Sequence, residues 1–109
     1  MTKTYACGLD AAVDVVGGKW KPLLLGLLAI GPRRFGELRR GADGISEKVL
    51  AEQLRELARD GLVHRQAHPQ MPPKVVYSLT PTGVSLERAL APLCDWGEEY
   101  LARTRAARA

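Results

Sequence analysis

Apolar residues recur at helical spacing through the first third of the chain. In residues 9–16 they lie mostly on one side, which predicts a short amphipathic helix closed by the glycine pair at 17–18. Pro22 suits the first turn of a second helix, and residues 23–30 are apolar nearly all round. This second helix, ended by the Gly-Pro pair at 31–32, is therefore predicted to form the centre of the core.

A different arrangement follows, in which two amphipathic segments are separated by a short break. The first segment covers residues 35–40, the break covers residues 41–44, and the second segment begins at Ser46 and ends before Gly61. Two helices joined by a tight turn form a helix-turn-helix, in which the second helix is presented at an angle that fits the major groove of DNA.

Two β-like runs come directly after the second segment. Residues 62–67 and 74–79 flank a proline-rich turn at 68–73, which predicts a hairpin. A β-ribbon beside a DNA-reading helix can reach the DNA backbone or the adjacent minor groove. The order of elements therefore predicts an α+β fold, mainly α, of the winged helix-turn-helix class. This order of elements is far more specific for the winged helix-turn-helix class than any one element alone.

The C-terminal segment predicts a last helix. Thr80 is a suitable N-cap, and Pro81 would occupy the first helical position. Apolar or small residues then recur at helical spacing, at Leu86, Leu90, Leu93, Gly97 and Leu101. Pro92 is expected to interrupt or kink this helix, and residues 103–109 have no apolar face, so we expect that tail to be frayed.

The length of 109 residues predicts a single domain with one modest core. Its expected parts are a first helix at 9–18, the helix-turn-helix at 31–60, the wing hairpin at 61–80 and a C-terminal helix at 81–102. With 46% hydrophobic and 26% charged residues, wholesale disorder is excluded.

Other features of the sequence indicate a cytoplasmic protein. No apolar run approaches the roughly 18 residues of a membrane span, and the first five residues lack the apolar core of a signal peptide. Cys7 and Cys94 stand near opposite ends of the chain, which is not the pattern of a structural disulfide framework.

The net charge of +4 is concentrated in the hairpin. Residues 61–80 contain Arg65 and Lys74 and no acidic residue, whereas residues 31–60 set seven basic residues against six acidic ones. A basic domain of this size favours a polyanionic partner, and here the excess positive charge lies in the predicted wing.

The helix after Ser46 has two distinct sides. Its apolar side is formed by Val49, Leu50, Leu54 and Leu57. Its other side, which we call the reading face, consists of Lys48, Ala51, Glu52 and Arg55. Ser46 is a good N-cap, and the first turn would direct backbone N–H groups towards a phosphate. The reading face alone is equally typical of a solvated helix surface, but the hairpin directly after it favours the interpretation as a DNA-reading helix.

Roles within a DNA complex follow from side-chain chemistry. Phosphate contacts are predicted for the four basic residues that flank the two helices or lie in the wing: Arg33, Arg34, Arg65 and Lys74. On the reading face, Lys48 and Arg55 can donate to guanine, Glu52 can accept from cytosine N4, and Ala51 offers a methyl group to thymine. Gln53 is expected nearer the core, and two of Arg39, Arg40 and Arg59 are expected to be solvated surface charges.

The sequence gives little support to an enzymatic function. It contains no G-x-S-x-G motif, no Gly-rich phosphate loop and no H-E-x-x-H motif. His64 and His68 lie four positions apart without a C-x-x-C pair, so we expect neither a metal nor a cofactor. A protein-binding adaptor built on the same fold is the remaining alternative, and salt-sensitive binding to duplex DNA would distinguish the two.

The chain also resembles a known family along almost its whole length. The matching pieces are Cys7, Gly17-Gly-Lys-Trp20, Gly31-Pro-Arg-Arg-Phe35, Glu37-Leu38, Ile45-Ser46, Val49-Leu50, Leu54-Arg-Glu-Leu57, Asp60-Gly-Leu-Val63, Pro72-Pro73, Val76-Tyr-Ser-Leu-Thr-Pro81, Gly83 and Trp96-Gly97. In this order and spacing they resemble the HxlR-type transcriptional regulators, winged-helix relatives of the MarR group. The family often carries a hydroxyl residue where this chain has Ala51, so a hydrogen bond from that position is not expected here.

The resemblance implies a homodimer on double-stranded DNA, in which the first and last helices of each subunit pack against the partner. Such a dimer would place two recognition helices in successive major grooves of a pseudo-palindromic operator, as a repressor does. The C-terminal apolar stripe agrees, since a domain this small has little core left to cover it. The alternative is that Leu86, Leu90 and Leu93 fold back on their own subunit. Trp20 and Trp96 are interpreted as core or interface anchors.

The resemblance also implies a signal. Several members of the family use a cysteine at the position of Cys7 as a thiol switch that responds to an oxidant or an electrophile. Other members respond to a small-molecule effector, and a lone cysteine is otherwise a small buried hydrophobe. A redox sensor at Cys7 and a ligand-responsive regulator of the same fold therefore both remain open, as does a pairing of Cys94 with Cys7 of the partner subunit.

Overall fold

The computed structural model describes residues 4–108, which form five helices and three strands. In chain order these are α1 (Gly8–Val16), α2 (Trp20–Ile30), β1 (Arg33–Arg34), α3 (Phe35–Gly41), α4 (Glu47–Arg59), β2 (Val63–His68), β3 (Lys74–Leu79) and α5 (Pro81–Arg108). The architecture is the mainly helical winged helix-turn-helix that the sequence predicts. Helices α3 and α4 are its helix-turn-helix, and β2 and β3 are the strands of its wing.

The core is formed by leucines from α2 and from the two helices of the helix-turn-helix. Its fully buried side chains are Leu24, Leu25, Leu38, Leu50, Leu54 and Leu57. Burying one such side chain stabilises a fold by about 1.5–3 kcal/mol. The three from α4 have the helical spacing that the sequence shows, so they direct the opposite side of α4 away from the core.

The three strands form one antiparallel sheet in the order β1, β3, β2. Strand β1 contains only two residues, in which Arg33 lies opposite Tyr77 and Arg34 lies opposite Val76. Strand β1 could not be predicted from the sequence, because two residues carry no alternation pattern. Because β1 pairs with β3, the two arginines before α3 belong to the same sheet as the wing.

Helix α5 begins at a junction with the wing. The Thr80 hydroxyl accepts a hydrogen bond from the Gly83 N–H (3.0 Å) and donates one to the Gly61 carbonyl (2.6 Å). The Thr80 N–H donates to the Leu62 carbonyl (3.1 Å). Thr80 is therefore the N-cap that the sequence predicts. It also joins α5 to the point where α4 ends and β2 begins.

The expectation that α5 frays after residue 102 was wrong, because the helix continues to Arg108. Pro92 lies inside this helix and does not interrupt it. The tail is helical without an apolar face because alanine and arginine are strong helix formers. It is further supported by the Thr104 hydroxyl, which donates to the Tyr100 carbonyl (2.8 Å), and by an ion pair of Arg103 with Glu99 (3.8 Å). Pro92 removes one backbone donor from a helix of 28 residues, and the turns on both sides remain.

Helix α1 is also shorter at its C-terminal end than the predicted 9–18. It ends at Val16, where the Gly17 N–H donates to the Val13 carbonyl and Gly18 adopts a φ of 81°. Across residues 4–108, none of the helices combines the length and the apolar character that a bilayer crossing requires.

Candidate nucleic-acid interface

Helix α4 is fixed at its N-terminus by its cap and by its neighbour α3. The Ser46 hydroxyl accepts a hydrogen bond from the Val49 N–H (3.1 Å), as an N-cap does. Arg39 of α3 donates to Glu47 at the start of α4 (2.8 Å), and both side chains are exposed. The turn between the two helices is thereby held in place, with the N-terminus of α4 at the surface.

The reading face points away from the core. Lys48 and Arg55 are exposed, and Ala51 and Glu52 are half-buried. Gln53 is half-buried and lines a polar groove beside Lys21 and Glu56. The reading face thus presents two cations, one carboxylate and one methyl group to the exterior.

The wing adjoins the reading face. A shallow cleft of about 250 Å³ between α4 and the sheet is lined by Ala51, Leu54, Arg55, Ala58, Arg65 and Tyr77. Arg55 of the reading face and Arg65 of the wing therefore border the same cleft. A duplex that contacts one of these guanidinium groups is within reach of the other.

The four predicted phosphate contacts fall into two pairs. Arg33 and Arg65 both lie opposite Tyr77, on either side of it in the sheet. Residues directly opposite one another share a face of the sheet, so these two arginines lie on the face that borders α4. Side chains alternate along a strand, which places Arg34 and Lys74 on the other face. The structure places Arg65 beside the reading face and Arg33 on the same face of the sheet, and it separates Arg34 and Lys74 from them.

The three arginines of which two were expected to be solvated, Arg39, Arg40 and Arg59, are all exposed. Arg39 and Arg59 form ion pairs with Glu47 and Asp60, at 2.8 Å and 3.4 Å. Arg40 lies in the last turn of α3, and its guanidinium reaches back towards Gly36, where it would be 3.4 Å from an added Cβ. None of the three lines the cleft between α4 and the wing.

An ion pair that the sequence does not reveal joins a buried lysine to a half-exposed glutamate. Lys21 of α2 has a relative exposure of only 6%, and its Nζ donates to Oε1 of Glu56 in α4 (2.7 Å). This hydrogen bond and the positive charge of Lys21 hold the pKa of Glu56 below its ordinary value. A charged residue at the start of an otherwise apolar helix was a visible signal, but a partner 35 residues away could not be deduced from spacing.

Both thiols are free and exposed. Cys7 is the N-cap residue of α1, and its carbonyl accepts a hydrogen bond from the Ala11 N–H (3.2 Å). The segment before it is held by Tyr5, whose hydroxyl donates to Asp14 (2.7 Å), and this bond raises the pKa of the Tyr5 phenol. Cys94 lines an apolar groove of about 520 Å³ between α2 and α5.

Large apolar side chains are exposed on α1, α2 and α5, and we refer to them together as the apolar surface. Its exposed members are Leu9, Val13, Leu23, Leu93, Trp96, Tyr100 and Leu101. Trp96 is 57% exposed and stacks on Tyr100 with ring centroids 5.2 Å apart, whereas Trp20 packs against the core. Leu86 and Leu90 also pack against the core, but Leu93 is 62% exposed. The C-terminal stripe therefore folds back on its own subunit only in its first half.

Within residues 4–108, no three His, Cys, Asp or Glu side chains are grouped closely enough to hold a metal ion.

Residues 15–105 match the family model described as HxlR-like helix-turn-helix. YdeP of Bacillus subtilis strain 168, an uncharacterised HTH-type transcriptional regulator, is 47% identical over 94 residues, covering 86% of this chain and 73% of YdeP. The chain therefore belongs to the HxlR-like helix-turn-helix family, and it is a helix-turn-helix transcriptional regulator related to the MarR group. The relatives named here are described as transcriptional regulators.

Solved structures give the same fold. A MarR-family transcriptional regulator from Enterococcus faecalis V583 has a TM-score of 0.81 at 42% identity, covering 97% of this chain and 96% of that one. The redox regulator HypR in its reduced form has a TM-score of 0.86 at 41% identity, covering 92% and 99%. In its oxidised form HypR has a TM-score of 0.80 at 45% identity, covering 85% and 96%.

Proposed function

We propose that the protein is a homodimeric repressor that binds a pseudo-palindromic DNA operator through α4 and the wing. The observation that carries this proposal is the cleft shared by Arg55 and Arg65, which joins a base-reading helix to a phosphate-binding strand. Helix α4 would lie in the major groove and the wing along the adjacent backbone. Occupation of the duplex, and hence exclusion of other proteins from it, is the action that these elements support.

Within this complex, Lys48 and Arg55 donate to guanine, Glu52 accepts from cytosine, and Ala51 contacts a thymine methyl group. Phosphates are bound by Arg33 and Arg65 on the α4 side of the sheet and by Arg34 and Lys74 on its other face. The first turn of α4 beyond the Ser46 cap adds backbone N–H donors for a phosphate.

Dimerisation is supported by the apolar surface on α1, α2 and α5. Exposed patches of this kind mark interaction sites, and a second copy of the chain presents an identical apolar patch to cover it. Light scattering at micromolar concentration tests this part of the proposal and should give the mass of two chains. A monomer that still binds DNA fully would contradict it.

The DNA-binding role is tested by selecting bound sequences from random duplexes and measuring affinity against salt. A regulator of this kind should enrich a pseudo-palindromic site and lose affinity steeply as salt rises. A protein-binding adaptor would enrich no sequence and would show no salt-dependent binding to duplex DNA.

For the signal, we propose thiol modification at Cys7. Three facts support it: Cys7 is exposed, it begins a helix that carries part of the apolar surface, and HypR is named a redox regulator. A thiol adduct or an intersubunit disulfide at Cys7 would change how α1 meets the partner, and so the separation of the two α4 helices. A non-covalent small-molecule effector is the second candidate, favoured by the apolar groove beside Cys94.

A further inference from the structure

A charged hydrogen bond joins α4 to helix α2. Lys21 lies at the start of α2, and its ammonium group donates to Glu56 in the third turn of α4 (2.7 Å). Among residues 4–107, Lys21 is the one charged side chain that is buried. Its partner follows Arg55 directly, so the contact lies one residue from the reading face.

The energetics of this pair argue against a role in stability alone. A buried ammonium group loses its hydration, and the attraction of its partner often repays no more than this loss. An apolar side chain of the same size would fill the space at no greater cost. What an apolar contact does not supply is direction, because a charged hydrogen bond is short and angle-dependent whereas leucine contacts are not directional.

We propose that the Lys21–Glu56 ion pair is a positioning contact that sets the orientation of α4 on α2 and thereby the sequence specificity of the reading face. The inference rests on the proposed function, in which α4 reads the bases. Leu50, Leu54 and Leu57 hold α4 against the core, but because apolar contacts are not directional they define its rotation about its axis less sharply than a hydrogen bond does. The pair of Arg39 with Glu47 fixes the first turn of α4, and the pair of Lys21 with Glu56 fixes a later one.

The two partners differ in exposure, so a substitution of Lys21 is expected to disturb the stability of the fold less than a substitution of Glu56. The Glu56 side chain is 38% exposed along the polar groove that Tyr5, Gln53 and Arg59 also line, whereas the Lys21 side chain is 7% exposed. Water can therefore solvate Glu56 in Lys21→Met, and this variant should unfold at the same denaturant concentration as the wild type. Removing Glu56 instead leaves a buried ammonium group without its partner.

The experiment compares affinity for the selected operator with affinity for random duplex DNA. Lys21→Met should lower operator affinity at least tenfold and leave random-DNA affinity nearly unchanged. Lys21→Arg, which keeps the charge and the donors, should restore most of the loss. The matched control is Glu99→Gln, which weakens the exposed pair of Glu99 with Arg103 (3.8 Å) and should change neither affinity.

Glu56→Gln separates positioning from simple charge effects, because the two explanations predict opposite signs. Loss of a negative charge beside DNA would by itself raise affinity for every duplex. Loss of a positioning contact lowers operator affinity, and we expect a fall of about tenfold with the variant folded by circular dichroism. Raised or unchanged operator affinity in Glu56→Gln would overturn the inference.

Failure of this inference is distinguishable from failure of the proposed function. If Arg55→Ala weakens operator binding and neither Lys21→Met nor Glu56→Gln does, then α4 reads DNA but the ion pair does not position it. If Arg55→Ala also has no effect, the assignment of α4 as the reading helix is wrong, and the inference is overturned with it.

Discussion

Substituting Gly83 with alanine should weaken the junction between the wing and α5. Gly83 is buried in the first turn of α5, and a Cβ at this position would overlap the backbone carbonyl oxygen of Leu62. That oxygen already accepts the hydrogen bond from the Thr80 N–H (3.1 Å). Because the obstructing atom belongs to the backbone, no side-chain rotation can relieve the overlap, and the start of α5 must move away from Leu62.

The magnitude follows from what this movement breaks. Two hydrogen bonds join the start of α5 to residues 61 and 62, and each contributes about 0.5–1.5 kcal/mol net. Overpacking of a buried site adds about 1–3 kcal/mol. We therefore expect Gly83→Ala to lower the free energy of unfolding by about 3 kcal/mol. For a domain of this size, that corresponds to a fall in Tm of at least about 10 °C.

Denaturant unfolding followed by tryptophan fluorescence measures this change, with the protein concentration held constant because a dimer's stability depends on it. Gly36→Ala is the matched control, since its added Cβ would lie 3.4 Å from the flexible end of Arg40. It should leave the free energy of unfolding unchanged or raise it by up to about 1 kcal/mol. If the free energy of unfolding of Gly83→Ala lay within about 0.5 kcal/mol of the wild-type value, the close packing of α5 against Leu62 would be refuted, since surface substitutions have effects of that size.

The remaining predictions concern binding, acid stability and the signal. Arg55→Ala should cost about 1–3 kcal/mol at the operator and relax the preference at one base position in a selection experiment; equal losses on random DNA would show that Arg55 contacts only phosphate. Lys74→Ala and Arg34→Ala should weaken binding to all sequences alike and each reduce the slope of log affinity against log salt by about one, and unchanged slopes would assign both residues to the solvated surface. Because the pKa of Glu56 is lower in the folded protein, its ion pair stabilises the fold above the ordinary glutamate pKa of about 4.3, and this contribution is lost as pH falls through the lower folded value. The free energy of unfolding should therefore fall less steeply with decreasing pH in Glu56→Gln than in the wild type. The same dependence on acid pH in the two proteins would contradict this. An oxidant or quinone should lower operator affinity about tenfold in the wild type, a bias of about 1.4 kcal/mol, and should not do so in Cys7→Ser; equal responses of the two proteins would favour the non-covalent effector.

The helical periodicity was sufficient to predict most of the fold. The apolar spacing of Leu50, Leu54 and Leu57 determined which side of α4 is buried, and Ser46 and Thr80 marked the starts of two helices by their capping chemistry. These features are local, since each depends on residues within one or two turns of the chain. For the same reason, the membership of the reading face could be deduced before its exposure was known.

Features that depend on contacts between distant segments could not be deduced in this way. Strand β1 exists because Arg33 and Arg34 pair with β3, and the contact between Lys21 and Glu56 joins helices far apart in sequence. The division of the wing's cations between two faces required the register of the sheet. The helical tail of α5 has no apolar face, so the hydrophobic pattern does not indicate it; the helix propensity of its alanine and arginine residues does.

The central claim is that two α4 helices, held at a fixed separation in one dimer, read two half-sites of a duplex. It is tested most directly by measuring affinity for the selected operator and for the same operator with about five base pairs inserted between its half-sites. An insertion of that length turns one half-site to the opposite side of the helix, because half-site centres must lie about one helical turn, roughly 34–36 Å, apart. The account predicts that affinity falls to the level of random DNA. Unchanged affinity for the altered operator would contradict it.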